Sequence, residues 1–236
     1  IGGILAAVFL LALAIDPPYL IIGIAVIYSL IVFANYYKIH WNVFSVAGIL
    51  GSLLLLCGIA YGSPKILEKM PKHQRERIEV LYKGEKAFRD TSGYNLLYSK
   101  TAIGSGGFFG KGYKEGSVTQ GKFVPEQETD YIFCTVGEEW GFFGASLLVI
   151  FYAVFIGRIY YLSEKQKSAF NRVFGYSFAS ILLMHFAINL GMVMGLFPTV
   201  GIPLPYFSYG GSSFLAFSIM TFIFFKLNYT DRNSLV

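Results

Sequence analysis

Charge is scarce in this chain. Charged side chains make up 14% of the sequence, against about 25% in a soluble globular domain, and that shortage excludes an ordinary water-soluble fold. Cysteine is scarcer still: Cys57 and Cys134 are too few and too far apart for a disulfide framework or a cysteine zinc site. No spacing of His, Asp and Glu specifies a metal site, so none is predicted. Internal repeats and low-complexity segments are absent as well. What fills the sequence is apolar bulk, with 55% hydrophobic and 18% aromatic residues, the composition of a membrane protein.

A helix that crosses a bilayer needs about 20 mostly apolar residues. Tyr19–Tyr37, Trp41–Tyr61, Trp140–Tyr161, Val173–Phe197 and Tyr209–Leu227 all qualify. Ile1–Ile15 has the character of the tail of a sixth span. A signal-peptide core is the alternative, with Ala12-Leu13-Ala14 imitating a cleavage site, but the run has neither an initiator Met nor a basic flank. The expected fold is therefore an all-α polytopic membrane protein with about six transmembrane helices, the C-terminal part of a longer protein. Three spans are expected in residues 1–61, the first of them truncated. A large loop occupies residues 62–139, three more spans residues 140–227, and a cytoplasmic tail residues 228–236.

Basic residues in short loops set the orientation of such a protein. Lys38, then Arg158, Lys165, Lys167 and Arg172, then Lys226 and Arg232 mark one side, while the Asp16-Pro17-Pro18 turn and Pro198–Ser208 contain no Lys or Arg. The first side is expected to be cytoplasmic and the large loop extracytoplasmic. That loop holds eleven of the fourteen acidic residues and twelve of the nineteen basic ones. So even a balance is a mixed-charge surface, not a nucleic-acid footprint, and long loops translocate largely regardless of charge.

Within the loop, Ile78, Leu81 and Tyr82 have the spacing of a short helix lying on the membrane surface, apolar face down. His73, Arg75 and Arg77 sit at the centre of the charged stretch Ile66–Phe88. They suit a solvated or headgroup-facing surface. They also suit phosphate, which the guanidinium fork of donors holds well.

Thr101–Gly112 (TAIGSGGFFGKG) invites a nucleotide-binding reading and fails it. A Walker A loop has Gly five positions before its Gly-Lys pair and Ser or Thr after the lysine; this chain has Ser105 and Gly112 there. Backbone amides free of side chains, beside Lys111, approach an anion closely. A tight re-entrant turn needing positive φ accounts for the same glycines.

Pro125 suits a turn before a helix, and Thr129 or Asp130 suits its N-cap. If residues 130–140 are helical, Asp130, Cys134 and Glu138 form a stripe at i, i+4 and i+8. Asp130 and Glu138 would then lie about 12 Å apart along the axis, too far to share a proton but suited to facing one extended substrate. Farther on, His185 and Asn189, with Gly191-x-x-x-Gly195, fit helix packing inside a span. Gly201–Ser213 (GIPLPYFSYGGSS) has two prolines and a small-residue helix start, which fit a rigid outer turn lining a cavity under the large loop.

Five collinear strings now stand out: Gln74-Arg75-Glu76-Arg77-Ile78, AIGSGG with GKG, PEQETDYIF, GEEWGF and GIPLPYFSYGGSS. Together they resemble the shape, elongation, division and sporulation (SEDS) family over nearly all of residues 62–227. PEQETD is closer to the elongation branch than to the division branch, whose version is nearer PEAHTD. Tyr98 departs from a Gln often found before the Ser-Lys pair. The resemblance implies ten spans with both ends cytoplasmic, of which this chain supplies spans five to ten. The missing four carry positions important for activity, so this segment alone is expected to be inactive.

The resemblance further implies a peptidoglycan glycosyltransferase of the bacterial plasma membrane that polymerises lipid II for elongation and rod shape. The acceptor's GlcNAc 4-hydroxyl attacks the donor's MurNAc anomeric carbon and expels undecaprenyl diphosphate with inversion. The family's essential loop aspartate falls on Asp130, a fitting general base for a weak hydroxyl nucleophile. Arg75, Arg77 and Lys111 are the cations expected to meet the leaving diphosphate, with Glu138 and Ser212 as further substrate-binding residues. The motifs specify no cofactor; a divalent cation, Mg or Mn, is compatible with a diphosphate substrate. A class B penicillin-binding protein carrying the transpeptidase and other elongation-machinery proteins are the expected partners.

Two other functions use the same architecture. A lipid II flippase would carry polar residues along its transit route, yet these spans are nearly free of charge and the ionisable cluster lies outside them. A non-catalytic scaffold would recruit a cell-wall synthase through its helices and would tolerate replacement of Asp130.

Overall fold

A computed structural model describes residues 17–34, 43–91 and 93–233. The first apolar run, Ile1–Ile15, and Lys38 lie outside the described residues. All regular structure among those described is helical, in two compact units, Ile1–Ala87 and Phe88–Val236.

In the first unit, α1 (Pro17–Ala34) pairs with α2 (Val43–Lys69). Leu20 and Ala60 are buried where they meet, with Ile21, Ile24, Leu56 and Ile59 around them. The Tyr28 hydroxyl bonds the Ile49 carbonyl at 3.2 Å and meets the Ser52 hydroxyl, a polar link of the kind that joins apolar helices. The span expected to end at Tyr61 continues as helix through Pro64 to Lys69. Pro71 then starts α3 (Lys72–Lys83), its carbonyl accepting the amides of Gln74 and Arg75 at 3.0 Å each, and Gly84 ends it. This is the short loop helix that the spacing of Ile78, Leu81 and Tyr82 predicts.

The second unit contains α4 (Tyr94–Ser105), α5 (Ser117–Gln120), α6 (Ile132–Glu164), α7 (Ala169–Met194) and α8 (Gly211–Asn233). Its core sets Phe178, Leu182 and Val193 of α7 among Cys134 and Ile156 of α6, Leu204, and Phe217 and Phe224 of α8. The opposite faces are just as apolar. Phe142, Leu147, Ile150, Phe151 and Val154 of α6 and Phe222 of α8 are exposed, as side chains facing lipid are. Val46–Lys69 of α2, α6, α7 and Gly211–Asp231 of α8 are each long and apolar enough to cross a membrane; Tyr19–Ser29 in α1 is shorter. The fold is that of an all-α polytopic membrane protein.

At 33 residues, α6 is about 50 Å long and exceeds the roughly 30 Å hydrocarbon core. Gly141 (φ 63, ψ −163) breaks it, setting residues 132–140 apart from the longer apolar stretch that follows. The break frees backbone groups, and the glycine-rich segment takes them up. Phe142 and Phe143 donate to the carbonyls of Gly107 and Phe108 at 2.9 and 3.0 Å, while the carbonyls of Glu138 and Glu139 accept from Lys111 and Gly112 at 3.0 and 3.1 Å. Irregular backbone near membrane depth persists only where such groups are satisfied. The approach leaves no room for side chains: a Cβ on Gly110 would lie 2.1 Å from the Glu139 carbonyl oxygen. These glycines therefore form the tight turn, and the amides of Lys111 and Gly112 are engaged by α6.

Candidate active site

Asp130 stands just before α6, whose N-cap is Tyr131 and has no side-chain capping bond. Neither Thr129 nor Asp130 caps the helix, so the carboxylate is not spent there. Because the helix begins at Ile132, Asp130 also lies outside the helical stripe drawn through Cys134 and Glu138. It sits instead in a turn wound on Glu126, whose carbonyl accepts the amides of Thr129, Asp130 and Tyr131 at 3.3, 3.0 and 3.3 Å. The Thr129 hydroxyl meets the Glu126 carbonyl and carboxylate at 3.2 and 3.1 Å.

Two contacts from distant sequence fix this turn. The buried side-chain amide of Asn189, in α7, donates to the Asp130 carbonyl at 2.8 Å and the Ile202 carbonyl at 2.7 Å. The Tyr209 amide donates to the Glu128 carbonyl at 2.8 Å. The GIPLPYFSYG segment thus runs beside Asp130, and a Cβ on Gly201 would lie 2.8 Å from Asp130 Oδ2. Partial burial pushes the Asp130 carboxyl above its ordinary value, the charge of Glu126 adds to this, and the Thr129 hydrogen bond opposes it. A polar cleft of about 530 Å³ opens beside the turn, lined by Lys122, Glu126, Gln127, Glu128, Thr129 and Tyr209 among others. Lys122 and Glu126 hold left-handed backbone (φ 51 and 55), a strain that non-glycine residues keep only where their surroundings impose it.

Glu138 and Lys111 form a second constellation. The fully buried Glu138 carboxylate accepts from Lys111 Nζ at 2.7 Å, from the amides of Val118 and Thr119 at 3.0 and 2.8 Å, and from the Ser105 hydroxyl at 3.3 Å. Lys111 also donates to the Ser117 hydroxyl at 2.8 Å. These bonds tie the glycine-rich segment and α5 to α6. Ser212 is exposed in the first turn of α8. Arg75 and Arg77 belong to the first unit, on α3, where Glu79 bridges Arg75 Nε at 2.6 Å and Lys83 Nζ at 3.0 Å. Among the described residues no three His, Cys, Asp or Glu side chains group so as to hold a metal ion.

From sequence alone Asn189 reads as helix packing, and nothing singles out Gly201 within its turn. The available signal was an amide in an otherwise apolar helix, one turn after His185, whose ring meets the Pro203 carbonyl at 3.4 Å.

A family model described as cell cycle protein, covering FtsW, RodA and SpoVE, matches residues 2–233. Peptidoglycan glycosyltransferase MrdB of Escherichia coli (strain K12) is 39% identical over 146 residues, which cover 62% of this chain and 39% of MrdB. Peptidoglycan glycosyltransferase RodA of Treponema pallidum (strain Nichols) is 31% identical over 173 residues, 73% of this chain and 40% of RodA. The chain spans about 40% of the length of these relatives. A solved chain from "Structural coordination of polymerization and crosslinking by a peptidoglycan synthase complex" shares the fold with a TM-score of 0.57 at 22% identity, covering 94% of this chain and 68% of that one.

Proposed function

This chain belongs to the FtsW, RodA and SpoVE family of cell cycle proteins, and from that premise we propose that the complete protein is a RodA-like peptidoglycan glycosyltransferase polymerising lipid II during cell elongation. The observation that carries this reading is Asp130, a half-buried carboxylate not used as a helix cap, fixed through its backbone by Asn189 beside a polar cleft. The acceptor's GlcNAc 4-hydroxyl oxygen bonds to the donor's MurNAc anomeric carbon as the bond from that carbon to the diphosphate oxygen breaks. Asp130 takes the hydroxyl proton, and undecaprenyl diphosphate leaves with the bonding electrons. A carboxylate with a raised pKa is a stronger base, closer in proton affinity to the working pH.

Arg75, Arg77 and the part-exposed Lys111 are the cations we assign to the diphosphate, Lys111 while it also holds Glu138. Glu138 acts by keeping the glycine-rich segment in place, and Ser212 by contacting substrate at the start of α8. The membrane is the bacterial plasma membrane with Asp130 outside, supported by the cluster of Arg158, Lys165, Lys167 and Arg172 at the other ends of α6 and α7. A class B penicillin-binding protein is the proposed partner, supported by the complex in which the solved chain of the same fold was described.

The test is glycan-strand synthesis from labelled lipid II by the complete protein with its penicillin-binding partner, wild type against Asp130→Ala. Long strands from the wild type alone are expected. Strands from both would remove Asp130 from the mechanism. Strands from neither, with protein-dependent movement of lipid II across vesicle bilayers, would replace the polymerase by a transporter.

A further inference from the structure

At the far end of α6 from Asp130, a cleft of about 430 Å³ lies between the last turns of α6, the α6–α7 turn and the end of α8. Arg158, Tyr161, Lys165, Gln166, Lys167 and Asp231 line it. Its charge is unbalanced in a specific way. The Arg158 guanidinium and the Lys165 ammonium lie 5.3 and 4.2 Å from the centre of one ring, that of Tyr161, and Lys167 adds a third cation. Like charges gathered on one aromatic ring repel each other unless an anion joins them.

Asp231 is the one carboxylate lining this cleft. Its charge acts on Lys167, which leaves Arg158 and Lys165 on the Tyr161 ring as the cation excess. Its oxygens also serve a structural end. They accept the amides of Lys167 and Ser168 at 2.8 and 3.1 Å and the Asn171 side chain at 3.4 Å. Asp231 thereby caps α7 from another helix, where Ser168 at the N-cap position makes no side-chain bond. Glu164, nearby in sequence, is engaged by the Tyr176 hydroxyl.

The second observation is independent of charge. Gln166 is buried, and neither polar atom of its side chain has a hydrogen-bond partner. Arg172 clamps the Gln166 carbonyl with two bonds of 2.8 and 3.2 Å, so the turn itself is held while the amide is left unsatisfied in the cleft wall. Buried amides without partners are uncommon because each forfeits its hydration.

We propose that this cleft binds the phosphodiester headgroup of an anionic membrane lipid. Arg158, Lys165 and Lys167 neutralise the phosphate, and the Gln166 amide turns toward a headgroup oxygen. A lipid fits better than a soluble phosphate because the cleft lies at the ends of two span-length helices, with the exposed Tyr161 and with Leu162 in its wall to lie along acyl chains. Basic pockets between membrane helices commonly take such headgroups. The proposal rests on the membrane fold and not on the polymerase reading.

The experiment is native mass spectrometry of the complete protein in micelles doped equally with phosphatidylglycerol and phosphatidylcholine. Wild type is expected to retain phosphatidylglycerol preferentially. Arg158→Gln with Lys165→Gln should lower that retention by about tenfold or more, whereas Lys226→Gln, removing a cation from α8 outside the cleft, should leave it unchanged. Gln166→Leu, which removes the unsatisfied amide without adding a charge, should also reduce the preference while heat stability holds. Equal retention of the two lipids, an equal loss in Lys226→Gln, or unchanged preference in Gln166→Leu each counts against the site. Displacement of the lipid by inorganic phosphate alone would overturn the lipid assignment in favour of a soluble anion.

Discussion

Asn189 donates its side-chain amide to the backbone carbonyl of Asp130 at 2.8 Å across 59 residues of sequence, and the same nitrogen holds Ile202 at 2.7 Å. One buried amide near the end of α7 thus positions both the loop that carries the aspartate and the turn that passes beside it. The aspartate's own side chain is left free of capping duty. Accurate placement without consumption of the carboxylate is what the proposed general base needs, since proton transfer requires hydrogen-bond reach to substrate.

Replacing Asn189 by Leu should therefore damage both stability and rate. Two part-buried carbonyls lose their donor, and since a fully buried unsatisfied group costs about 1–3 kcal/mol, the loss should fall near the lower end for each. Polymerisation should fall by about 10- to 100-fold through misplacement of Asp130. Strand synthesis and thermal unfolding of the complete protein, measured on the same preparation, check the two effects. A rate equal to wild type at full occupancy of lipid II would show that Asn189 serves packing alone.

The raised pKa of Asp130 predicts a pH signature. The folded protein binds this proton more tightly than the unfolded chain does, so the associated stability is complete below the unfolded value and is lost as pH rises through the folded one. Asp130→Asn should thus be at least as stable as wild type at neutral pH while losing polymerisation. Activity should show an acid limb at higher pH than an ordinary carboxylate gives, because the base must be ionised. Glu126→Gln removes one charge that raises the pKa and should move the limb to lower pH; an unmoved limb would sever Glu126 from Asp130.

The membrane class and four of the long helices were legible because apolar runs of span length have few other uses. The loop helix α3 was legible from three apolar residues at helical spacing. Asp130 came from motif wording, and its alternative as a helix cap was excluded only by the backbone that places Tyr131 at the N-cap. The roles of Lys111 and Glu138 were hidden for a related reason. Spacing along one chain cannot reveal that α5 and the glycine-rich segment fold back onto α6, so from sequence Lys111 reads as a diphosphate cation and Glu138 as a substrate-facing carboxylate, with no sign that they pair. Asn189 was hidden because a polar residue in a span announces a partner without saying which one.

Lys111 and Glu138 should behave as a coupled structural pair. Removing one member of a buried ion pair costs about 3–5 kcal/mol because the other charge is stranded. Lys111 retains 29% side-chain exposure while Glu138 has none, so the loss in Lys111→Met should fall near the low end. Adding Glu138→Leu to Lys111→Met should recover part of it. A double-mutant cycle in thermal unfolding measures the coupling. Additive losses would mean that the two residues act separately, and an effect of Lys111→Met confined to the KM for lipid II would assign the lysine to diphosphate binding.

The break in α6 makes the sharpest distinction between two glycines of one helix. Gly141, at φ 63 and ψ −163, occupies a region open almost solely to glycine, where other residues are strained by about 1–3 kcal/mol. A Cβ there would also lie 2.3 Å from the Gly110 amide nitrogen and 2.7 Å from the Phe108 carbonyl oxygen, pushing away the segment whose bonds satisfy the broken helix. Gly157 lies farther along α6, where a Cβ would have no neighbour within 4 Å, and in helical backbone alanine is favoured over glycine by about 0.5–1 kcal/mol. Gly157→Ala should accordingly be neutral or slightly stabilising, while Gly141→Ala should lose about 3 kcal/mol or more and release the glycine-rich segment to proteolysis. Thermal unfolding and limited proteolysis of the two variants side by side test this. Equal stability would mean that the helix passes through Gly141 unbroken and that the segment is held by Lys111 and Glu138 alone.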